Sequence, residues 1–184
     1  MRVIAGSARS LPLKAPKGDK TRPTIGKHKE TLFNCLTNDI YGSVFVDLFS
    51  GTGSIGIEAL SRGAKKAYFV ERNKEALKCI NENLKFTHLD DRAVVIAGDV
   101  FASLLSSIKD EADLIFLDPP FKEYDYKDIM EAIVKSPVCC QNTKIIVEST
   151  LETGFDYADD LGLEIYKVKE YKTCKHTFME CRSK

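Results

Sequence analysis

The sequence predicts an α/β fold, a doubly wound and mostly parallel sheet that ends in an antiparallel hairpin. Three observations predict it. Short apolar segments, Val44–Leu48, Ala67–Val70, Ala93–Ala97, Leu114–Leu117 and Lys144–Val147, alternate with helical stretches, and that alternation builds parallel sheets through right-handed crossovers. The first segment runs into Gly51-Thr52-Gly53-Ser54-Ile55-Gly56, a glycine turn between a strand and a helix of the kind found at nucleotide-type sites. Near the carboxyl end the alternation stops. Leu163–Tyr171 and Cys174–Cys181 are separated only by Lys172-Thr173, which allows a hairpin and forbids a helical crossover.

The elements follow in order. Residues 1–24 carry Pro12, Pro16, Gly18 and Pro23 and read as an extended arm with few internal hydrogen bonds. Residues 25–184 form the remaining domain. A helix over Thr24–Thr37 has an apolar face of Leu32, Phe33 and Leu36 and a polar face of Lys27, Lys29 and Glu30. The helix after the glycine turn covers Ser54–Ser61 and stops at Gly63. Asn73 caps the next, which runs to about Lys85 with Leu77, Ile80 and Leu84 inward. Further helices cover Phe101–Ile108 and Tyr126–Val134. Gly51 and Gly53 allow unusual φ values and close approach of a ligand, and Gly56 lets the new helix lie near its strand.

Composition narrows the class. A chain of 184 residues with 43% hydrophobic content is an ordinary globular domain. No stretch approaches a membrane span and no signal-peptide core follows Met1, so the expectation is a cytoplasmic protein that does not engage a membrane. The six cysteines include no C-x-x-C pair, and His28, His88 and His176 show no ligand spacing. The reading is reduced cysteines and no metal. Charge is balanced overall but uneven along the chain. Residues 1–29 hold eight Lys or Arg against one acid, and the remainder holds nineteen against twenty-six. A basic arm on an acidic body suits nucleic acid, through Arg2, Arg9, Lys14, Lys17 and Lys20, or is simply a solvated terminus.

Three strand ends carry candidate chemistry. Asp47 precedes the glycine turn, facing either the amino-acid end of a donor or backbone N–H groups. Glu71 ends the next strand at the spacing of an acid that binds ribose hydroxyls. Asp99 ends the third, where it could accept from an adenine amino group or cap the following helix. The fourth strand ends in Asp118-Pro119-Pro120-Phe121, for which a dehydrogenase has no use. An exocyclic amino nitrogen is a poor nucleophile because its lone pair is delocalised into the base. A carboxylate accepting one N–H and the Pro119 carbonyl accepting the other would turn that lone pair toward a methyl donor and stabilise the charge that develops. Two prolines fix the loop, and Phe121 offers a stacking face for an extruded base. The plainer alternative is a stiff strand exit with a capping Asp and a core Phe.

The run Asp47-Leu48-Phe49-Ser50-Gly51-Thr52-Gly53-Ser54-Ile55-Gly56-Ile57-Glu58-Ala59-Leu60-Ser61-Arg62-Gly63-Ala64, with Asp118-Pro119-Pro120-Phe121, resembles the RsmD-type bacterial methyltransferases. So do Arg2-Val3-Ile4-Ala5-Gly6, Thr21-Arg22-Pro23-Thr24, Lys29-Glu30-Thr31-Leu32-Phe33-Asn34 and Glu170-Tyr171-Lys172-Thr173. The resemblance implies a Rossmann-like class I methyltransferase with a seven-stranded sheet. It implies methylation of the exocyclic N2 of a guanine in small-subunit (16S) ribosomal RNA from S-adenosylmethionine, leaving S-adenosylhomocysteine. The partner would be the RNA or a small-subunit assembly intermediate, and the enzyme a monomer. By the same resemblance Asp47, Gly51 and Gly53 hold the methionine part of the donor, Glu71 its ribose and Asp99 its adenine. Phe49 and Val100 join that set, Arg22 and Thr24 lie over the donor pocket, and Asp118, Pro119, Pro120 and Phe121 hold the guanine. One departure stands out: Ile25-Gly26-Lys27-His28 replaces the usual Asp-Arg pair. The rivals are an amino-methyltransferase for adenine or another RNA or DNA base, and a non-catalytic RNA-binding module on the same fold.

Overall fold

Strand β1 (Val44–Asp47) lies mid-sheet, and its alternation sorts the core into two layers. The computed structural model describes residues 1–16, 23–120 and 123–182. The other strands are β2 (Lys66–Glu71), β3 (Ala93–Ala97), β4 (Ala112–Leu117), β5 (Cys139–Ser149), β6 (Leu163–Glu170) and β7 (Lys175–Cys181). They form one seven-stranded sheet in the order β3-β2-β1-β4-β5-β7-β6. Strands β1 to β5 are parallel, and β7 runs antiparallel to both β5 and β6. The reversed strand is thus the second arm of the terminal hairpin, wedged between its partner and the parallel body.

Helices α1 (Pro23–Cys35), α2 (Ser54–Ser61) and α3 (Lys74–Thr87) cover one face, burying Phe33, Ile57 and Ile80 with Phe45, Phe69 and Phe178 of the sheet. Helix α4 (Val100–Ala102) and α5 (Tyr126–Lys135) cover the other, burying Leu104, Ile129 and Ile133 with Val46, Tyr68 and Ile115. Neighbouring residues of β1, Phe45 and Val46, point into opposite layers, as the two-residue period of a strand requires.

Local chemistry explains the boundaries. Gly53 begins α2 at φ +77, a left-handed conformation that side chains rarely adopt. A Cβ at Gly56 would lie 2.4 Å from the Phe69 ring, so only glycine lets α2 approach β2 this closely. Asn73 caps α3 by accepting from the Glu75 and Ala76 N–H groups. The helix expected over Phe101–Ile108 is different: one α-turn widens at once into a π-helical turn, Ser103–Ser107. The side chains of Ser103 and Ser106 bond back to the carbonyls of Asp99 and Ala102, and such local bonds compete with regular helix.

The expected extended arm is corrected over residues 1–16. Val3, Ala8 and Leu13 are buried, and Val3 N–H bonds Leu11 O while Leu13 N–H bonds Met1 O. This strap is fastened to α2 and α3. Ile4 and Ala5 donate their N–H groups to Glu58, and Asn83 pairs with both backbone groups of Lys14. A second correction concerns Lys29, expected on the polar face of α1. It is 3% exposed and sits 3.0 Å from the Glu58 carboxylate, while also donating to Arg2 O. Arg62 supplies a second cation 2.8 Å from Glu58. Burial alone would raise the Glu58 carboxyl; Lys29, the Ile4 N–H and Arg62 outweigh it and hold the group below its ordinary range.

Candidate active site

The carboxyl ends of β1 to β5 meet at one edge, and two adjoining clefts open there. The larger, of about 570 Å³, is lined by Phe49, Gly51, Glu71, Val100, Asp118 and Pro119 among others. The smaller, of about 220 Å³, adds Asp47, Glu148 and His176 and shares Phe49, Gly51 and Asp118 with the first. Such placement outside the strand ends is where open α/β sheets bind ligands.

Asp47 is 1% exposed at the end of β1. Its Oδ2 accepts from the Gly56 N–H at 3.2 Å, and Oδ1 has no partner. Burial raises its carboxyl to about 7, the Gly56 N–H opposes that, and Asp118 and Glu71 add to the rise. The backbone reading of Asp47 accounts for Oδ2, while Oδ1 is buried and left without a partner. Glu71, at the end of β2, accepts from the N–H groups of Gly51, Arg72 and Asn73. These bonds fix its carboxylate on the cleft wall, with about one lone-pair site remaining for a hydroxyl donor. Asp99 caps α4 through the Phe101 N–H, and its second oxygen meets the Tyr124 hydroxyl at 3.2 Å.

Asp118 follows β4 and belongs to both clefts. Its surface is exposed at the cleft mouth, while the protein around the carboxyl leaves it partly desolvated. That desolvation, with the nearby Glu148 carboxylate, raises its carboxyl to about 7. Pro119 and Pro120 line the larger cleft beside it. Gly53 serves the turn rather than the cleft, packing toward Ile80. Phe121, Arg22, Lys17 and Lys20 lie outside the described residues, as does the side chain of Thr24. Arg2 and Arg9 are exposed, and Lys14 is exposed but paired with Glu82 at 2.8 Å.

Several lining groups escaped the sequence. Arg72 reaches across to Glu123 and lies over the Tyr124 ring, and Tyr124 in turn meets Phe49 edge-on. Glu148 and His176 are register partners on β5 and β7 and bond at 2.9 Å. Only strand pairing joins them, so no spacing in the chain could have revealed the pair.

The sheet order, the reversed β7 and the glycine turn after β1 define a Rossmann-like methyltransferase fold. The solved structure of yhhF from Escherichia coli superposes with a TM-score of 0.86 at 25% identity, covering 100% of this chain and 99% of that one. The chain belongs to the family described as Conserved hypothetical protein 95, the RsmD/YlbH family, which matches residues 1–180. YlbH of Bacillus subtilis (strain 168) is 39% identical over 154 residues, 83% of this chain and 84% of that protein. "Ribosomal RNA small subunit methyltransferase D" of Escherichia coli (strain K12) is 30% identical over 154 residues, 84% of this chain and 77% of that protein.

Proposed function

We propose that this chain transfers a methyl group from S-adenosylmethionine to the exocyclic N2 of a guanine in small-subunit ribosomal RNA. The observation that supports the reading is Asp118, shared by the two clefts, with Pro119 beside it on the wall of the larger. The relatives' names supply the RNA class. The residues present fit the donor. Its ammonium matches the unpartnered, buried Oδ1 of Asp47, its ribose the pre-oriented Glu71, and its adenine the apolar wall at Val100. When bound, the donor supplies an electrophilic methyl on a sulfonium.

The chain's own residues do the rest. Asp118 accepts one amino N–H of the base and the Pro119 carbonyl accepts the other, which leaves the nitrogen lone pair facing the donor cleft. The carboxylate then stabilises the positive charge that grows on nitrogen. After transfer that nitrogen is a strong acid, and its proton leaves to Asp118 or to water. Phe121 would stack on the base, and Arg2, Arg9, Lys14, Lys17 and Lys20 would meet phosphates.

The test is transfer of labelled methyl from S-adenosylmethionine to small-subunit ribosomal RNA, naked and as subunits from cells lacking the enzyme, followed by nucleoside analysis. Label in N2-methylguanosine at one site is the expected result. Label on adenine would keep the chemistry and discard the base. Donor binding with no methylated RNA would overturn catalysis and leave a binding module.

A further inference from the structure

The smaller cleft ends in a cluster that methyl transfer does not use. His28 comes from α1, Glu148 from the end of β5 and Cys174 from the turn before β7. Each offers one ligand atom, and the three atoms lie within 4.8 Å of one another. The sequence spaces these residues 120 and 26 positions apart, which is why no ligand pattern shows in the chain. We propose that His28 Nδ1, Cys174 Sγ and one Glu148 carboxylate oxygen bind a zinc ion, with a fourth position left toward the cleft.

Three features carry the assignment. The first is the donor set: a thiolate and an imidazole suit a borderline-soft transition metal and not magnesium or calcium. The second is spacing. His28 Nδ1 and Cys174 Sγ are 3.6 Å apart. Zinc–nitrogen and zinc–sulfur bonds of about 2.0–2.1 and about 2.3 Å at a tetrahedral angle put those atoms about 3.6 Å apart. The pair is thus already at the edge length that a shared ion would impose. The third is the supporting layer. His176, 1% exposed, holds Glu148 at 2.9 Å through Nε2, and its Nδ1 meets the Tyr171 hydroxyl at 3.1 Å. The Tyr171 ring stacks on His28 at 3.8 Å. Outer partners of this kind orient metal ligands. Binding replaces the Cys174 thiol proton with the ion, and that proton leaves to solvent.

The ion would clip α1 to the carboxyl edge of the sheet beside the second cleft. The site stands or falls independently of which base is methylated. Zinc content of the purified full chain, measured after gel filtration, should be about one ion per chain, since a thiolate, an imidazole and a carboxylate together hold the ion. After exchange to cobalt(II), wild type should show a near-ultraviolet thiolate-to-cobalt charge-transfer band and visible bands of a tetrahedral site. Cys174→Ser should lose the charge-transfer band, and Cys79→Ser, away from the cluster, should keep it. His28→Ala, a substitution at a half-buried position, serves where Cys174→Ser fails to fold, and should weaken cobalt binding with S-adenosylmethionine binding retained. Wild type with no retained zinc and no thiolate–cobalt band overturns the site, and so does a band that persists unchanged in both cluster variants.

Discussion

A carboxyl group without solvent and with one unpartnered oxygen holds its proton tightly, and Asp47 is such a group. Its folded value, about 7, lies above the ordinary 3.8. Between those values the folded state binds the proton that the unfolded chain releases, so this group's contribution to stability falls as pH rises from about 4 to about 7 and is flat above. A shift of that size corresponds to at most about 4 kcal/mol at about 1.4 kcal/mol per unit. Asp47→Asn should therefore flatten the loss of stability expected between about pH 4 and about pH 7 in urea melts of the wild type, and it should weaken S-adenosylmethionine binding in calorimetry. Equal slopes in the two proteins would refute the protonation, and unchanged affinity would refute the ammonium contact. Asp118 gives the complementary expectation. Asp118→Ala should abolish turnover and leave donor affinity within a few-fold if Asp118 holds the acceptor base as proposed; near-wild-type turnover would remove it from the reaction.

At the scale of elements, the glycine positions were legible because a missing Cβ has local consequences. Gly56→Ala should cost about 1–3 kcal/mol, the usual penalty for overpacking, since its methyl would meet the fully buried Phe69 ring. Thermal melts check it, and an unchanged midpoint would mean that α2 can slide off β2. Most strands and the helices α2 and α3 were also readable from their apolar runs and caps, whereas β5, expected over Lys144–Val147, runs from Cys139 to Ser149. The strap and its anchor were not. Lys29 sits in a run of polar residues, and nothing near it in sequence says that Glu58, twenty-nine positions on, is waiting under α1 with no solvent of its own. Removing one partner of a buried pair costs about 3–5 kcal/mol. Glu58→Gln should accordingly lower the melting temperature by roughly 10 °C, at about 2–4 °C per kcal/mol in a chain of this size, and release residues 1–16 to proteolysis. Protection of that segment in the variant would show that the apolar contacts of Val3 and Leu13 hold it unaided. The Glu148–His176 pair was illegible for a similar reason: β5 and β7 create it.

Across the whole molecule the folded strap revises the charge argument. Lys29 is consumed in the core and Lys14 is shared with Glu82, so the basic excess of residues 1–29 overstates what phosphates can meet. Arg9 is exposed, and among the described residues no acid forms an ion pair with it. Each phosphate neutralised contributes about 0.7–0.9 to the slope of log affinity against log salt, the lower value applying to single strands. Arg9→Ala should reduce that slope by about this amount and weaken binding to any RNA of similar shape. Arg182 makes a useful contrast, because it lies at the far hairpin and is paired with Glu164 and Asp159. Arg182→Ala should leave the slope unchanged. Fluorescence anisotropy with a small-subunit RNA fragment, over a salt series, separates the two. A slope that Arg9→Ala leaves untouched would move the RNA surface off the strap, and the acidic body would then have to find its cations elsewhere on the carboxyl edge of the sheet.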